Sequence, residues 1–189
     1  MTDTERPWSK VSLQPLDEIP LETLKAWQND PDIRGRTMGF SFPVQSANIE
    51  KWRENKASES GNRSSSSAIF FGKIAVGASF LTSIDWVQRI SDFGIYIGDK
   101  DAHRKGIGYC ACALMLDHAF YGLNLRRVQI RVVETNVPAL KLYESLGFVH
   151  EGVERQAYLF RGQTLNVLRL GILAEEFIVD IPPSANRFT

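Results

Sequence analysis

The chain opens with an alternating run, KVSLQPL, that predicts a strand. It passes at once to helical spacing in LETLKAWQND, which predicts a short helix ending near Asp30 and Pro31. QSANIEKWRENKASES predicts a second helix, with Ile49 and Trp52 three apart. The polar run GNRSSSS, residues 61–67, reads as a flexible loop. Three apolar runs follow on short connections, AIFFG, KIAVGASFLTS and ISDFGIYIG, and predict an antiparallel meander. From Gly106 the period lengthens: Ile107, Leu114, Met115, His118 and Ala119 fall at helical spacing to about Tyr121. RRVQIRVVE is a β-branched strand, and NVPALKLYESLGF is a helix that Asn136 caps, that holds Pro138 in its first turn and that Gly147 ends. FVHEG adds a strand, and YLFRGQTLNVLRLGILA a hairpin turning near Arg161-Gly162-Gln163. The predicted order is β-α-α-β-β-β-α-β-α-β-β, with one clear parallel crossover and no internal repeat of roughly 20–50 residues.

Composition narrows this picture. A chain of 189 residues supports one domain with a full core, and 43% apolar with 23% charged residues is a globular composition. Lys+Arg and Asp+Glu both number 22, so no surplus charge is available to grip nucleic acid or an anionic membrane. Neither is expected as a partner. The two cysteines, Cys110 and Cys112, are two apart on one helix, so they neither pair easily nor chelate one metal. They read as small buried hydrophobes. His118 reads as a core-edge histidine, with no second His or Cys at ligand spacing, and no metal is expected. No apolar run approaches the ~18 residues of a membrane span, and MTDTERPWSK has no signal-peptide core. The expected address is cytoplasmic.

Candidate chemistry centres on HRKGIGYCACA, which contains G-x-G-x-x-A at Gly106, Gly108 and Ala111. A dinucleotide-binding turn would find its ribose acid at Glu134, at the end of the next strand. In that motif the first glycine follows the strand almost directly, whereas GDKDAHRK separates Ile97 from Gly106, and the preceding meander lacks βαβ units. A Walker-type loop is excluded because no Gly-Lys-Ser/Thr follows. A merely glycine-rich helix start would cost roughly 0.5–1 kcal/mol per glycine unless something uses the open backbone. Free N–H groups at a helix start beside Arg104 and Lys105 form an anion site that suits a pyrophosphate.

These residues carry a resemblance. His103-Arg104-Lys105-Gly106-Ile107-Gly108 fits the Gln/Arg-x-x-Gly-x-Gly/Ala signature of the GNAT superfamily of acyl-CoA-dependent N-acyltransferases, except that His103 replaces Gln or Arg. A second pattern matches at Asn136, Ala139, Tyr143, Gly147 and Phe148, at the right distance from the first. DFGIYIGDKDAHRKGIG and EGVERQAYLFRGQTLNV further resemble the branch of ribosomal-protein and amino-sugar acetyltransferases.

The resemblance implies an α/β (α+β) GNAT fold, a mixed, mostly antiparallel sheet of about seven strands with about four helices, splayed between strands four and five. It implies one domain over residues 1–189: an acceptor-side part at about 1–88, an acetyl-CoA-binding core at about 89–155 and a C-terminal hairpin at about 156–178. Acetyl-CoA is the implied co-substrate, and the implied reaction is direct transfer to a primary amine of a small molecule, such as an amino-sugar nucleotide, or of a protein N-terminus. A non-catalytic acyl-CoA sensor is the alternative, and a dinucleotide-binding protein a remote one. Monomer and homodimer both remain open.

The resemblance also distributes roles. The pyrophosphate falls to His103, Arg104, Lys105, Gly106, Ile107, Gly108 and Tyr109, and the pantetheine arm to the backbone of Ile95, Tyr96 and Ile97. Asn136, Ala139 and Tyr143 border the cofactor. Tyr143 is the candidate general acid toward the departing thiolate, with packing as its alternative. Asp92 is the candidate base, through water, where this branch commonly has Glu; the alternative is a solvated strand-end carboxylate. Trp27, Arg34, Asp30 and Asp32 fall beside the acceptor pocket, with a structural role as the alternative for each, and Trp86 reads as either core or pocket wall. Glu134 is a weaker candidate whose role is capping or pairing.

Overall fold

A computed structural model describes residues 6–38, 43–59, 61–183 and 185–188; the first five residues of MTDTERPWSK lie outside them. The strands are β1 (Val11–Pro15), β2 (Ser65–Phe71), β3 (Ile74–Asp85), β4 (Ile90–Ile97), β5 (Arg127–Val133), β6 (Val149–Phe160), β7 (Gln163–Leu173) and a short β8 (Asn186–Phe188). The helices are α1 (Leu21–Asn29), α2 (Pro31–Arg36), α3 (Ser46–Glu59), α4 (Ile107–Asp117) and α5 (Val137–Ser145). They build one mixed sheet in the order β6-β7-β5-β4-β3-β2-β1-β8.

Three sequence expectations need correction. Ser65, Ser66 and Ser67 are not loop: they begin β2 and pair with Leu81, Phe80 and Ser79 of β3. Their neighbours on both sides decide the matter, because strand membership follows pairing and burial more than intrinsic preference. The first helix does end at Asp30-Pro31, but a second starts at once. The Asp30 carboxylate accepts from the N–H groups of Asp32 at 2.8 Å and Ile33 at 3.3 Å, and Pro31 fits the first position. FVHEG and YLF, read as separate strands, are one strand, β6. Its pairing with β7 jumps between Glu154 and Tyr158, and Gln156 takes φ 53 at the bulge.

Two cores flank the sheet. The larger joins α4 and α5 to Val128, Ile130, Val132, Phe93 and Leu170 on one face. The smaller joins Leu24, Trp27, Ile33 and Ile49 from the first helices to Ala68, Phe70, Ala78 and Tyr96 on the other. Its described members come from no strand beyond β4; on that face of β6, α2 lies against Tyr158 and Phe160. Cys110 and Cys112 are both fully buried in the larger core, as read from the sequence.

Candidate active site at the fork of the sheet

β4 and β5 run parallel but pair only at Ile90–Arg127, Ser91–Val128 and Asp92–Gln129. Beyond Asp92 the strands separate, so Phe93 to Ile97 and Ile130 to Val133 lose each other as partners. A fork of this kind leaves backbone donors and acceptors open in mid-sheet, where an amide-bearing chain can take them up.

The chain leaving β4 returns to the fork through the glycine loop. Arg104 and Gly106 both have positive φ, 61° and 76°, and Gly106 stands in the left-handed conformation as the N-cap of α4. Without a side chain there, no side-chain oxygen caps the helix. The first-turn N–H groups of Ile107, Gly108 and Tyr109 are therefore the helix's open donors. Arg104 and Lys105 are exposed beside them. Gly108 lies at the fork: a Cβ built there would touch Leu142 at 3.6 Å and Ile97 at 3.9 Å. His103 and Ile97, assigned to phosphate and pantetheine, meet each other, with imidazole Nε2 3.0 Å from the Ile97 carbonyl oxygen. Since a carbonyl only accepts, that ring nitrogen carries the proton.

α5 borders the fork from one face. Asn136 caps it by accepting from the Ala139 N–H at 3.4 Å, and Pro138 sits in its first turn, as expected. Ala139 is half-buried against the larger core. Tyr143 is 4% exposed, with its ring edge-on to Phe93 (centroids 6.4 Å apart) and Phe148 (5.5 Å). Burial, reinforced by Cys112, raises its phenol well above the ordinary value, so it keeps its proton throughout the neutral range.

Asp92 stands on the opposite face. Successive strand residues alternate, so Asp92 and Phe93 point to opposite sides of β4. Gln129, its last partner across the fork, donates its amide to Asp92 Oδ1 at 2.9 Å. Sequence reading missed Gln129. The available signal was the alternation of polar Arg127, Gln129 and Arg131 with apolar Val128, Ile130 and Val132, which marks a polar face on β5. Glu134 is a pairing residue: its carboxylate accepts from the Asn166 backbone N–H at 2.8 Å and side-chain amide at 3.0 Å.

The acceptor-side candidates scatter. Trp27 is buried in the smaller core, edge-on to Tyr96, and lies so close over Gly98 that a Cβ there would fall 2.1 Å from its ring. Tyr96 is itself buried there, so only its backbone faces the fork, and burial raises its phenol well above the ordinary value. Tyr109 packs edge-on to Trp8 under the Arg6 guanidinium. Trp86 sits in the β3–β4 turn, at the end of β4 away from the fork's opening, with its indole N–H on the Asn62 carbonyl. Arg34 lies on α2, which spans the opening. Asp30 and Asp32 tie α2 to Lys100 (2.9 and 3.4 Å) on the β4 side. The Arg34 carbonyl accepts from the Tyr158 hydroxyl at 3.0 Å, and the Arg36 carbonyl from the Asn136 amide at 3.3 Å, on the β5–β6 side. A cleft of about 540 Å³, lined by Gln14, Asp17, Arg53, Lys56, Ser66 and His118 among others, lies away from the fork. Among the described residues no three His, Cys, Asp or Glu side chains gather to hold a metal, and no helix is long and apolar enough to cross a membrane.

A family model for the acetyltransferase (GNAT) domain matches residues 10–149. The chain belongs to the GNAT acetyltransferase family. Spermidine N(1)-acetyltransferase of Vibrio cholerae is 30% identical over 106 residues, 56% of this chain and 61% of the relative. That of Escherichia coli K12 is 30% identical over 100 residues, 53% of each. The putative ribosomal N-acetyltransferase YdaF of Bacillus subtilis is 28% identical over 129 residues, 68% of each. The chain thus spans between about half and two thirds of these relatives. A crystal structure of the Vibrio cholerae spermidine enzyme with CoA and spermine superposes at a TM-score of 0.81, covering 90% of this chain and 99% of that one at 24% identity. That likeness establishes the GNAT fold, and the expected splay between strands four and five is the separation of β4 and β5 beyond Asp92. The family is one of acetyl-CoA-dependent acetyltransferases, and the residues of this fork fit that co-substrate: an uncapped helix start for its pyrophosphate and an unpaired strand for its amides.

Proposed function

We propose that this protein transfers the acetyl group of acetyl-CoA directly to a primary amine of a small molecule. The observation that carries the proposal is the fork itself: β4 without a partner beyond Asp92, opening onto the uncapped start of α4. First-turn N–H groups of α4, with Arg104 and Lys105, receive the pyrophosphate. The open backbone of Ile95 to Ile97 receives the pantetheine amides, His103 yielding the Ile97 carbonyl where the arm needs it. Asn136 and Ala139 hold the α5 wall.

The two faces then divide the proton work. Asp92, steadied by Gln129, takes a proton from the incoming ammonium, directly or through one water, and frees the nitrogen lone pair. The nitrogen attacks the thioester carbonyl carbon, an N–C bond forms and the C–S bond breaks. Tyr143, kept protonated by its dry surroundings, supplies the proton that the leaving thiolate requires; the nitrogen's second proton restores the phenol through water, and Asp92 releases the first to solvent. The amide and free CoA depart, and the protein keeps no covalent intermediate.

Relatives in the spermidine and ribosomal groups support an amine acceptor without agreeing on one. An amino-sugar nucleotide or a peptide N-terminus is compatible with the same chemistry. The reading is tested by thiol release from acetyl-CoA against a panel of primary amines. Amine-dependent release with equimolar N-acetyl product is expected. Tight acetyl-CoA binding without release for any amine would contradict transfer and leave a sensor.

A further inference from the structure

Charge on the open face of the sheet bears on the acceptor. From Asp92 the polar row of β5 continues through Gln129 to Arg131, and Arg131 stands directly opposite Arg169 of β7. Like charges in that register repel unless an anion lies between them. One carboxylate does: Glu154 of β6 meets Arg131 (Nε at 3.1 Å) and, more loosely, Arg169 at 3.9 Å. Two guanidinium groups thus share one carboxylate. Both remain about half exposed, at 49% and 51%.

The surroundings add to that excess. Among the described residues, Arg36 at the end of α2 and Arg155 in the β6 bulge carry no ion pair, and Arg161 at the hairpin tip lies over Phe160 instead of a carboxylate. The acids flanking the opening each have a partner of their own, although Asp30 and Asp32 share a single ammonium. Asp30 and Asp32 hold Lys100, Glu151 holds Arg127, and Glu134 holds Asn166.

We infer that the acceptor amine carries its own anionic group, a carboxylate or a phosphate, which Arg131 and Arg169 receive on the open face while the nitrogen lies at Asp92. This inference rests on the acetyltransferase reading. A strand rises about 3.3 Å per residue and neighbouring strands lie about 4.8 Å apart. Arg131, two residues past the last pair of the fork, therefore stands at least roughly 8 Å from Asp92 along the diagonal, within the combined reach of an arginine side chain and a small molecule. Free amino acids, short peptides and amino-sugar phosphates share this chemistry. Spermidine, a cation along its whole length, does not.

The test measures kcat/KM by thiol release for spermidine, glucosamine, glucosamine 6-phosphate, and free amino acids and dipeptides. The expectation is that at least one anionic amine exceeds both glucosamine and spermidine by tenfold or more. A phosphate in the lead identifies sugar phosphates, and a carboxylate in the lead identifies amino acids or peptides. Added salt should raise KM for the preferred amine. Arg131→Gln and Arg169→Gln should each cut its advantage over glucosamine at least tenfold, and Arg169→Glu should move selectivity toward spermidine. Spermidine as the best substrate would overturn the inference and leave acetyl transfer standing, as would arginine variants that lower every amine alike. No release with any amine, acetyl-CoA being bound, would overturn both.

Discussion

The two faces of the sheet at the β4–β5 fork are opposite environments a single residue apart. On the α4–α5 face, Tyr143 is enclosed by Phe93, Phe148 and the buried cysteine Cys112, and ionisation is suppressed. On the other face, Asp92 accepts from Gln129 at the head of a row of arginines and carboxylates open to solvent. The difference teaches how one strand can serve both ends of a proton-coupled transfer. A group that must hold a proton is placed in the dry layer, and a group that must accept one is placed in the wet layer. The period-two alternation of β4 alone separates them.

The largest effect should come from filling the fork. Gly108→Trp places an indole where a Cβ already touches Ile97 and Leu142. Acetyl-CoA affinity by calorimetry should fall by at least about a hundredfold in a variant whose circular dichroism is native. That estimate corresponds to losing about 2.7 kcal/mol. Unchanged affinity would remove the cofactor from the fork.

Next come the two faces themselves. Tyr143→Phe should lower kcat by about 10²–10⁴-fold with little change in acetyl-CoA affinity. Because burial raises that phenol, the wild-type rate should show no alkaline decline from Tyr143 up to about pH 9. Asp92→Asn should lose a similar factor at pH 7. Its deficit should shrink as pH rises and more amine arrives already neutral, whereas the Tyr143→Phe deficit should not. Identical pH behaviour of the two variants would erase the division between faces.

Gln129 sharpens the same contrast on a smaller scale. A hydrogen bond to a charged group is worth about 1.5–3 kcal/mol, so Gln129→Ala should cost roughly ten- to a hundredfold in kcat/KM. In an Asp92→Asn background it should cost almost nothing, because Gln129 acts through Asp92. Equal losses in both backgrounds would make it a substrate contact or a structural residue.

The smallest effect concerns the dry layer's stability. Burial pushes the Cys110 thiol up to about 12, and also raises Cys112 and Tyr143. In the unfolded chain these groups ionise near about 8.5 and 10, so above that range the native state binds more protons than the unfolded state. Their contribution is full below the unfolded values and is lost as pH rises through the native ones. Thermal midpoints should therefore fall from about pH 8.5 upward. Replacing both cysteines by alanine should flatten the decline by up to about 1.4 kcal/mol per thiol and pH unit, each kcal/mol being roughly 2–4 °C.

What was legible in the sequence follows from the same physics. β5 and α5 announce themselves by the period of one buried face, the meander by short apolar runs, and α4 by an apolar run buried on every side. The glycine loop and Asn136 were legible because their chemistry is local: a left-handed turn, an uncapped start, a side chain capping its own helix. Ser65 to Ser67 were not, since only the pairing of β2 with β1 and β3 makes serines into strand. The bulge in β6 was hidden by polar residues of an exposed edge. The place of α2 across the opening depends on Lys100, Asn136 and Tyr158, all distant in sequence. Gln129 needed the register of a parallel pair that no local pattern specifies.

The central claim is that coenzyme A lies in the fork, along β4 and over the start of α4. Amide hydrogen exchange with and without saturating CoA tests it most directly. New protection is expected at Ile95 to Ile97 and at Ile107 to Tyr109, with little change elsewhere in the sheet. Protection confined to Gln14–Asp17 and Ser65–Ser67, the walls of the distant cleft, with none at the fork, would contradict it.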